Sequence, residues 1–570
     1  MGSWTNLVPA IGQVRKYQRA WLSRDITAGL VITGLLAPVG VAYAVAAGLP
    51  PVTGLYATIV PLFAYAIFGP SRIMVMGPDS SLTPLIAAAV LPFAATSPQQ
   101  ALAVASAVAV MAGLFCVAAG LARFGFLAEL LSAPVRLGYL HGIAVTIVVA
   151  QAAKVCGFSV HGETLFGQLR QFVNGLNDGH LNGWALAIGV MSVAVIVGLR
   201  RLMPRLPATL IAVVIGIVIA LVMDLGRKGV PLVGDLPRGL PSPSLPDVSW
   251  DTARTLVGAS LGVAFVAFAD TGVMSRTLAL RRHEPVDANH ELVALGVANM
   301  ASGLFHGFPI SASASRTPVA EAAGARTQLT GVVAAIALLI ITVAAPATFR
   351  HLPDSSLAAI VIAAAISLID IPALARLFRV RRSEFVLSIS AMSAVAVLGP
   401  VSGVVVAVAL SILNFLRLAW KPHTAELVRV DGLKGYHDRG RHPEGKVVPG
   451  LLLYRFDGPL FFANANFFGE DLAHRVATQD SPVKCVILTA EPVTDIDTSA
   501  ADALATVVGD LRARGIAFRF AELKGTVRER LDRYGVFHDD TPDATARTIG
   551  EAVKLYLRDF PADYVDWEDH

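Results

Sequence analysis

Between Asp25 and Arg123 the chain carries only two charged residues, Arg72 and Asp79. Nearly a hundred consecutive residues are therefore compatible with lipid, broken only by Gly and Pro, enough for about four membrane spans of roughly 20 residues each. In hydrocarbon every backbone polar group needs an internal partner, so such a run folds as a series of helices. Apolar segments recur as far as residue 420 and then stop, and 44 of the 88 Asp, Glu, Lys and Arg residues lie in 421–570. One chain thus joins two solvents, which excludes a single soluble enzyme, a fibrous or disordered chain and a single-pass anchor.

The apolar pattern predicts fourteen spans, near 26–47, 52–69, 79–94, 101–120, 130–153, 183–199, 207–224, 255–274, 291–307, 313–324, 327–347, 355–374, 384–398 and 401–419. Basic residues fall in alternate loops: the N-terminal group Arg15, Lys16, Arg19 and Arg24, then Arg72, Arg123 and Arg136, then Arg200, Arg201 and Arg205. Arg276, Arg281, Arg282, Arg326 and the group Arg376, Arg379, Arg381 and Arg382 keep that parity. By the positive-inside rule those loops, the N-terminus and the charged C-terminal part are cytoplasmic, in a multi-pass protein of the cell membrane. The first apolar run is too long for a signal peptide and is expected to remain as the first helix. The expected domains are a cytoplasmic segment 1–25, a membrane domain 26–420 with repeats 26–224 and 255–420, a linker 421–449, a soluble domain 450–560 and a tail 561–570.

Two of the spans are short and interrupted. The third begins at Gly77-Pro78-Asp79-Ser80-Ser81-Leu82-Thr83-Pro84, and the tenth at Gly307-Phe308-Pro309-Ile310-Ser311-Ala312-Ser313-Ala314-Ser315-Arg316. Their glycines are 230 positions apart, close to the separation of the spans that open each set of seven, so both broken helices stand third in their set. Seven crossings invert the second set relative to the first, and paired broken helices in inverted repeats point to a transporter's binding site.

A helix that begins inside the membrane offers free backbone N–H groups and partial positive charge, which attract an anion. Ser80, Ser81 and Thr83 on one half-helix, and Ser311, Ser313 and Ser315 before the other, supply small hydrogen-bonding groups. The same residues also suit close helix packing, although packing does not account for the Gly and Pro at both starts, Gly77-Pro78 and Gly307-Phe308-Pro309. Arg316, costly at membrane depth, either serves the anion, neutralises a carboxylate, or pairs with Glu321. Asp270 closes an apolar run and is a candidate site for a coupling proton or cation; the alternative is a fixed pairing with Arg316 or Arg276. Asp79 can cap its half-helix or take part in coupling-ion ligation.

The Gly307-Phe308-Pro309-x-Ser311-x-Ser313-x-Ser315-Arg316 segment resembles the sulfate permease (SulP) family, together with Gly324-Ala325-Arg326-Thr327-Gln328, Asn289-His290-Glu291-Leu292, Gly296-x-x-Asn299, and Tyr43-Ala44 before Gly48-Leu49-Pro50-Pro51-x-x-Gly54-Leu55-Tyr56. The resemblance implies fourteen spans in a seven-plus-seven inverted repeat, a core domain that moves against a gate domain like an elevator, and a homodimer. It implies an inorganic anion, sulfate or bicarbonate, or in some members a dicarboxylate, bound around Ser80, Ser81, Ser313, Ser315 and Arg316, with Phe308, Ser311 and Tyr43 beside them. Where such relatives often have Pro-Gln in the first helix, this chain has Pro38-Val39 and lacks that donor. Proton-linked relatives usually have Glu at the position of Asp270, whereas sodium-linked bicarbonate carriers have Asp.

From 450 onward short β-like runs at 451–456, 459–462, 483–488 and 517–520 alternate with helices near 465–477, 499–514, 525–534 and 545–558, the pattern of a small α/β sandwich. Residues 422–449 read as a linker and first strand. Asp495-Ile496-Asp497-Thr498-Ser499-Ala500 resembles the phosphorylatable turn of STAS domains, with Thr498 at the modified position; the same spacing suits a helix cap formed by Asp497 and Thr498. Such a domain can also hold a cytoplasmic partner.

The sequence therefore implies a secondary anion transporter in membrane lipid, most directly for sulfate, coupled to protons or sodium. The alternatives are a bicarbonate or dicarboxylate carrier and a membrane anion sensor acting through the STAS domain. Cys116, Cys156 and Cys485 form no CxxC or Cys/His cluster, and no basic tract is dense enough for nucleic acid, so neither a cofactor, a metal nor a nucleic-acid partner is expected. No nucleophile, base and orienter trio points to an enzyme.

Overall fold

The computed structural model describes residues 8–94, 97–126, 132–160, 164–203, 207–284, 286–313, 315–536, 545–564 and 566. Arg205, counted above among the cytoplasmic basic residues, lies outside them, as do the last four residues of the tail. The chain divides into two compact units, Met1–Ile412 and Leu413–His570.

In the first unit a short α1 (Pro9–Arg15) precedes α2 (Leu22–Ala46), α3 (Pro51–Phe68), β1 (Met76–Gly77), α4 (Thr83–Ala94), α5 (Pro98–Leu121), α6 (Ala133–Val155), α7 (Leu165–Asn177), α8 (Gly183–Leu202) and α9 (Ala208–Val222). The second repeat holds α10 (Trp250–Arg282), α11 (Ala288–Leu304), β2 (Ser311–Ala312), α12 (Arg316–Ala322), α13 (Leu329–Ala344), α14 (Asp354–Ile366), α15 (Ile371–Val380), α16 (Arg382–Leu398) and α17 (Pro400–Trp420). Each of the fourteen predicted spans has its helix, and the third and tenth are the broken ones, each an extended pair of residues followed by a short helix. The tenth is shorter than its sequence suggested, since α12 has seven residues.

Three named helices fall outside the fourteen, the short α1 before the first span and two others. The twelfth span was read as continuous to 374, but α14 ends at Ile366 and α15 starts afresh, because the Asp370 carboxylate accepts the Ala373 N–H (2.9 Å) and Pro372 removes a helical donor. No residue of α15 is buried. On the other side, α7 is capped by Thr164, whose hydroxyl accepts the Gly167 N–H.

Two sets of helices result. In the core set α5 lies on α11, α3 on α11 and α2 on α13, while in the gate set α6 lies against α14 and α16, and α8 against α14 and α9. Contact in the core is close enough to require glycine: a Cβ on Gly113 would stand 2.5 Å from the Gly296 carbonyl oxygen, and one on Gly296 2.6 Å from that of Gly113. Lipid gives no hydrophobic drive between helices, so this van der Waals fit, which small residues permit, holds α5 to α11.

The second unit is a six-stranded sheet in the order β4 (Tyr436–Asp438), β3 (Thr424–Arg429), β5 (Leu451–Phe456), β6 (Cys485–Thr489), β7 (Ala517–Ala521), β8 (Thr545–Ala546). Strands β5 to β8 run parallel and β3 is antiparallel to both its neighbours. Helices cover both faces of the parallel strands, and the central β6, Cys485 to Thr489, is accordingly buried throughout and uncharged. Leu452, Tyr454, Phe456, Val486 and Leu488 face α18 (Ala465–Ala477), α19 (Thr498–Ala513) and α20 (Gly525–Arg533), whereas Leu451, Leu453, Cys485 and Ile487 face α21 (Ile549–Asp559). Two expectations change here. The stretch 421–449, read as a linker with one strand, carries both β3 and β4. The predicted strand 459–462 is instead a turn: Pro459 has no N–H, the Phe461 N–H is taken by the Asn464 side chain at 2.9 Å, and only Leu460 bridges across, to Ile496. All three cysteines are buried and free.

Candidate functional site

The two broken helices meet. β1 and β2 pair antiparallel, Met76 with Ala312 and Gly77 with Ser311, so the extended starts of the third and tenth spans cross inside the membrane domain. Side chains complete the ladder where the strands are too short to do so. Thr317 Oγ1 accepts the Val75 N–H (3.1 Å), Thr271 Oγ1 accepts the Ala312 N–H (3.2 Å), and the Ser313 N–H donates to the Val75 carbonyl (3.1 Å). Asn299 clamps Ile310 from both sides, accepting its N–H at 2.8 Å and donating to its carbonyl at 3.0 Å. Gln328 Nε2 donates to the carbonyls of Ser71 and Met74, both at 2.9 Å.

Arg316, the first residue of α12, is 1% exposed. Its Nη2 donates to the Pro78 carbonyl and lies 3.6 Å from Asp79 Oδ2. Its Nε and Nη1 have no hydrogen-bond partner among the described residues, and neither has the buried Ser311 hydroxyl. Gly77 makes room for this: its φ of 153° is glycine's, and a Cβ there would lie 3.4 Å from Arg316 Nη1. Glu321, the alternative partner considered for Arg316, stands instead 3.7 Å from Arg281 and 3.6 Å from Arg282.

Asp270 is partly exposed, and its Oδ2 accepts the Ser81 hydroxyl at 2.5 Å. Asp79 Oδ1 accepts the Ser81 N–H at 3.2 Å, and its carbonyl accepts the Thr83 N–H, so Asp79 caps α4 while it faces Arg316. Ser80 and Tyr43 are buried, and Tyr43 lies beside Ser80, Asp79 and Arg316. Ser313 Oγ accepts the Arg316 N–H (3.3 Å) and is 3.2 Å from the hydroxyl of Ser315, which is exposed. Phe308 is buried in the core, its carbonyl held by Ser302 at 2.7 Å. Of the predicted site residues, Asp79, Ser80, Ser81, Tyr43, Asp270, Ser311, Ser313 and Arg316 gather at the crossing, Ser315 borders it and Phe308 supports it from the core. Thr498 belongs to the other unit, where it is exposed at the start of α19, and Asp497 alone supplies the cap, accepting the Ala500 N–H at 2.8 Å.

A cavity of about 840 Å³ reaches the crossing between the two helix sets. Asp79, Ser81, Asp270 and Ala312 form its inner wall, and Arg136, Arg376 and Arg381 stand on its gate side with Asp370 and Glu384. Sequence reasoning counted those arginines only as topological markers. It also assigned no role to Asn299, Gln328, Thr271 or Thr317, although an amide inside an apolar helical run signals that backbone elsewhere needs a partner.

The arrangement can do one thing chemically. Every unsatisfied group at the crossing that belongs to Arg316 is a donor carrying positive charge, so the complementary ligand is a small acceptor with negative charge. No group of His, Cys, Asp and Glu suited to a metal ion occurs among the described residues.

Comparison with known proteins agrees on one family. The sulfate permease family profile matches residues 22–391, and the STAS domain profile matches 442–552. A probable sulfate transporter of Mycobacterium tuberculosis is 40% identical over 96% of this chain and 98% of its own length. The chloroplastic sulfate transporter 4.1 of Arabidopsis thaliana is 29% identical over 93% of this chain and 79% of its own. Among solved structures, the murine solute carrier 26 family member A9 anion transporter in its inward-facing state superposes with a TM-score of 0.89 at 22% identity, over 97% of this chain and 94% of that one. The transmembrane domain of the cyanobacterial bicarbonate transporter BicA gives a TM-score of 0.61 at 24% identity, over 70% of this chain and 99% of that domain.

Proposed function

Because the chain belongs to the sulfate permease family, multi-pass membrane transporters of anions rather than enzymes, we propose that it carries sulfate, accumulated by coupling to protons or sodium. The observation that carries this reading is the buried Arg316 guanidinium, two of whose nitrogens lack a partner among the described residues, as does the Ser311 hydroxyl beside it. A buried donor left unsatisfied costs about 1–3 kcal/mol, more when charged, so these groups favour a ligand that accepts from them. The oxygens of sulfate accept from several directions at once, which suits donors that diverge. Asp79 balances part of the arginine's charge without consuming those donors.

Asp270 is the proposed coupling group. It stands in the cavity wall and is joined to Ser81, which is itself tied to the cap of α4, so occupancy at Asp270 by a proton or sodium ion bears on the half-helix that faces the anion. In this reading the core set slides against the gate set, and the cavity between them is the path to one side of the membrane. Alternate basic loops put that side, the N-terminus and the STAS domain in the cytoplasm. We further read the protein as a homodimer of the cell membrane, its STAS domain open to a cytoplasmic partner and to modification at Thr498.

Bicarbonate is the second reading. Pro38-Val39 leaves the first helix without a side-chain donor at that position, and a planar anion with fewer oxygens needs fewer donors.

Uptake of labelled sulfate, bicarbonate and succinate into proteoliposomes, with pH and sodium gradients imposed separately, tests both. Sulfate accumulation under one of the gradients is expected. Accumulation of bicarbonate or succinate but not sulfate transfers the site to that anion. Binding without flux of any of the three refutes transport and leaves an anion sensor.

A further inference from the structure

A second cavity, of about 410 Å³, lies at the other end of the same seam. The first cavity is lined by the beginning of α6, Ala133 to Leu140, and the second by its end, Thr146 to Lys154. Since α6 is long and apolar enough to cross the membrane, the two cavities open toward opposite faces. Both reach the broken helix: Asp79 and Ser81 line the first, Thr83 and Pro84 the second, so one turn of backbone separates them.

Among the described residues in the wall of the second cavity, Lys154 is the one cationic side chain, beside Gln151 and Thr146. Its ammonium donates to the Val45 carbonyl at 2.5 Å. Val45 is in the last turn of α2, where unpaired carbonyls carry partial negative charge, and that carbonyl also receives the Gly48 N–H at 3.2 Å. The bond joins a gate helix to a core helix across the mouth. The acid that faces Lys154 is Asp354, in the first turn of the gate helix α14.

Resting on the transport reading above, we propose that Lys154 is the gating and anion-attracting residue of the second mouth. In the present state it holds the core shut through Val45. When the core moves, the ammonium is released into the cavity and draws the anion toward the Thr83 end of the broken helix. It is a positioning residue, distinct from Arg316, and its effect is confined to one face of the membrane.

Oriented proteoliposomes give the test, with the KM for labelled sulfate measured from each face. Lys154→Met is expected to raise KM about tenfold from the face of the second cavity, leave it unchanged from the other, and be largely restored by Lys154→Arg, which keeps the charge. An unchanged KM on both faces, or an equal rise on both, overturns the proposal. Absence of sulfate flux in the unsubstituted protein counts instead against the transport reading. A second measurement does not depend on flux or on the folding of Lys154→Met. Ala150, in the same wall, is replaced by Cys in a chain carrying Cys156→Ser, and its reaction with negatively and positively charged thiosulfonates is compared. Faster reaction with the negative reagent is expected while Lys154 is present; equal rates, or faster reaction with the positive one, contradict the assignment.

Discussion

In the proposed function Asp270 and Arg316 divide the work at the crossing, and their substitutions separate the two roles. Asp270 receives the Ser81 hydroxyl at 2.5 Å, so Asn, isosteric and uncharged, keeps the space but removes the charge that would bind a proton or sodium ion. Asp270→Asn is expected to exchange labelled sulfate across liposomes yet fail to concentrate it under a gradient. Concentration at the unsubstituted level would remove Asp270 from coupling. Gly77→Ala addresses the strand beneath the arginine: with φ at 153° and the guanidinium 3.4 Å from a Cβ, alanine strains the backbone and presses on Arg316 at once. Sulfate affinity, measured by titration calorimetry, is expected to fall several-fold, together with a lowered melting temperature, because such strain costs about 1–3 kcal/mol at one residue.

At the scale of elements, the contact between α5 and α11 is set by backbone proximity. Gly113→Leu places a Cβ 2.5 Å from the Gly296 carbonyl and must push the helices apart, at a cost of about 1–3 kcal/mol or more. A lowered melting temperature of the detergent-solubilised protein is the expected outcome, and an unchanged one would show that the helices separate freely. The same elements show what was legible in the sequence. The fourteen spans, the broken third and tenth among them and their pairing followed from hydropathy, the Gly and Pro at each broken start and inversion, all of which are periodic or local. The serines, Asp79, Asp270 and Arg316 stood out because polar groups at membrane depth demand a reason. The clamps by Asn299, Gln328, Thr271 and Thr317 did not, since each acts on backbone far away in sequence. The break at Asp370 was hidden by an apolar run that continued past it, and β4 by a polar stretch whose partner is one side of β3.

For the whole molecule, two units in two solvents imply two kinds of pH response. In the soluble unit burial pushes the Asp471 carboxyl up, but hydrogen bonds from Arg475 at 2.9 Å and Tyr454 at 2.8 Å outweigh it and hold it below the usual carboxylate range. Arg475 also donates to the Thr424 hydroxyl and carbonyl, so this acid secures α18 to β3. A carboxylate with a depressed value stabilises the fold above its unfolded value, near 3.9, and that contribution is lost as pH falls through the folded value. Hydrogen exchange of β3 and β5 in the full chain is expected to quicken, beyond the intrinsic rate change, as pH falls below about 5. Asp471→Asn should remove part of that dependence, and an unaltered profile would mean that the acid is not linked to stability. In the proposed function the membrane unit answers to gradients instead, through Asp270.

The central claim is that the buried guanidinium binds the transported anion. Its most direct test is sulfate binding to detergent-solubilised protein, with Arg316→Ala and Arg316→Lys compared to the unsubstituted chain by titration calorimetry, melting temperature being recorded for each. Loss of a charged hydrogen-bonding partner costs about 1.5–3 kcal/mol, so Arg316→Ala should weaken sulfate binding roughly 10- to 100-fold, and Arg316→Lys should recover part of it. Arg316→Ala binding sulfate with the affinity of the unsubstituted protein would contradict the account.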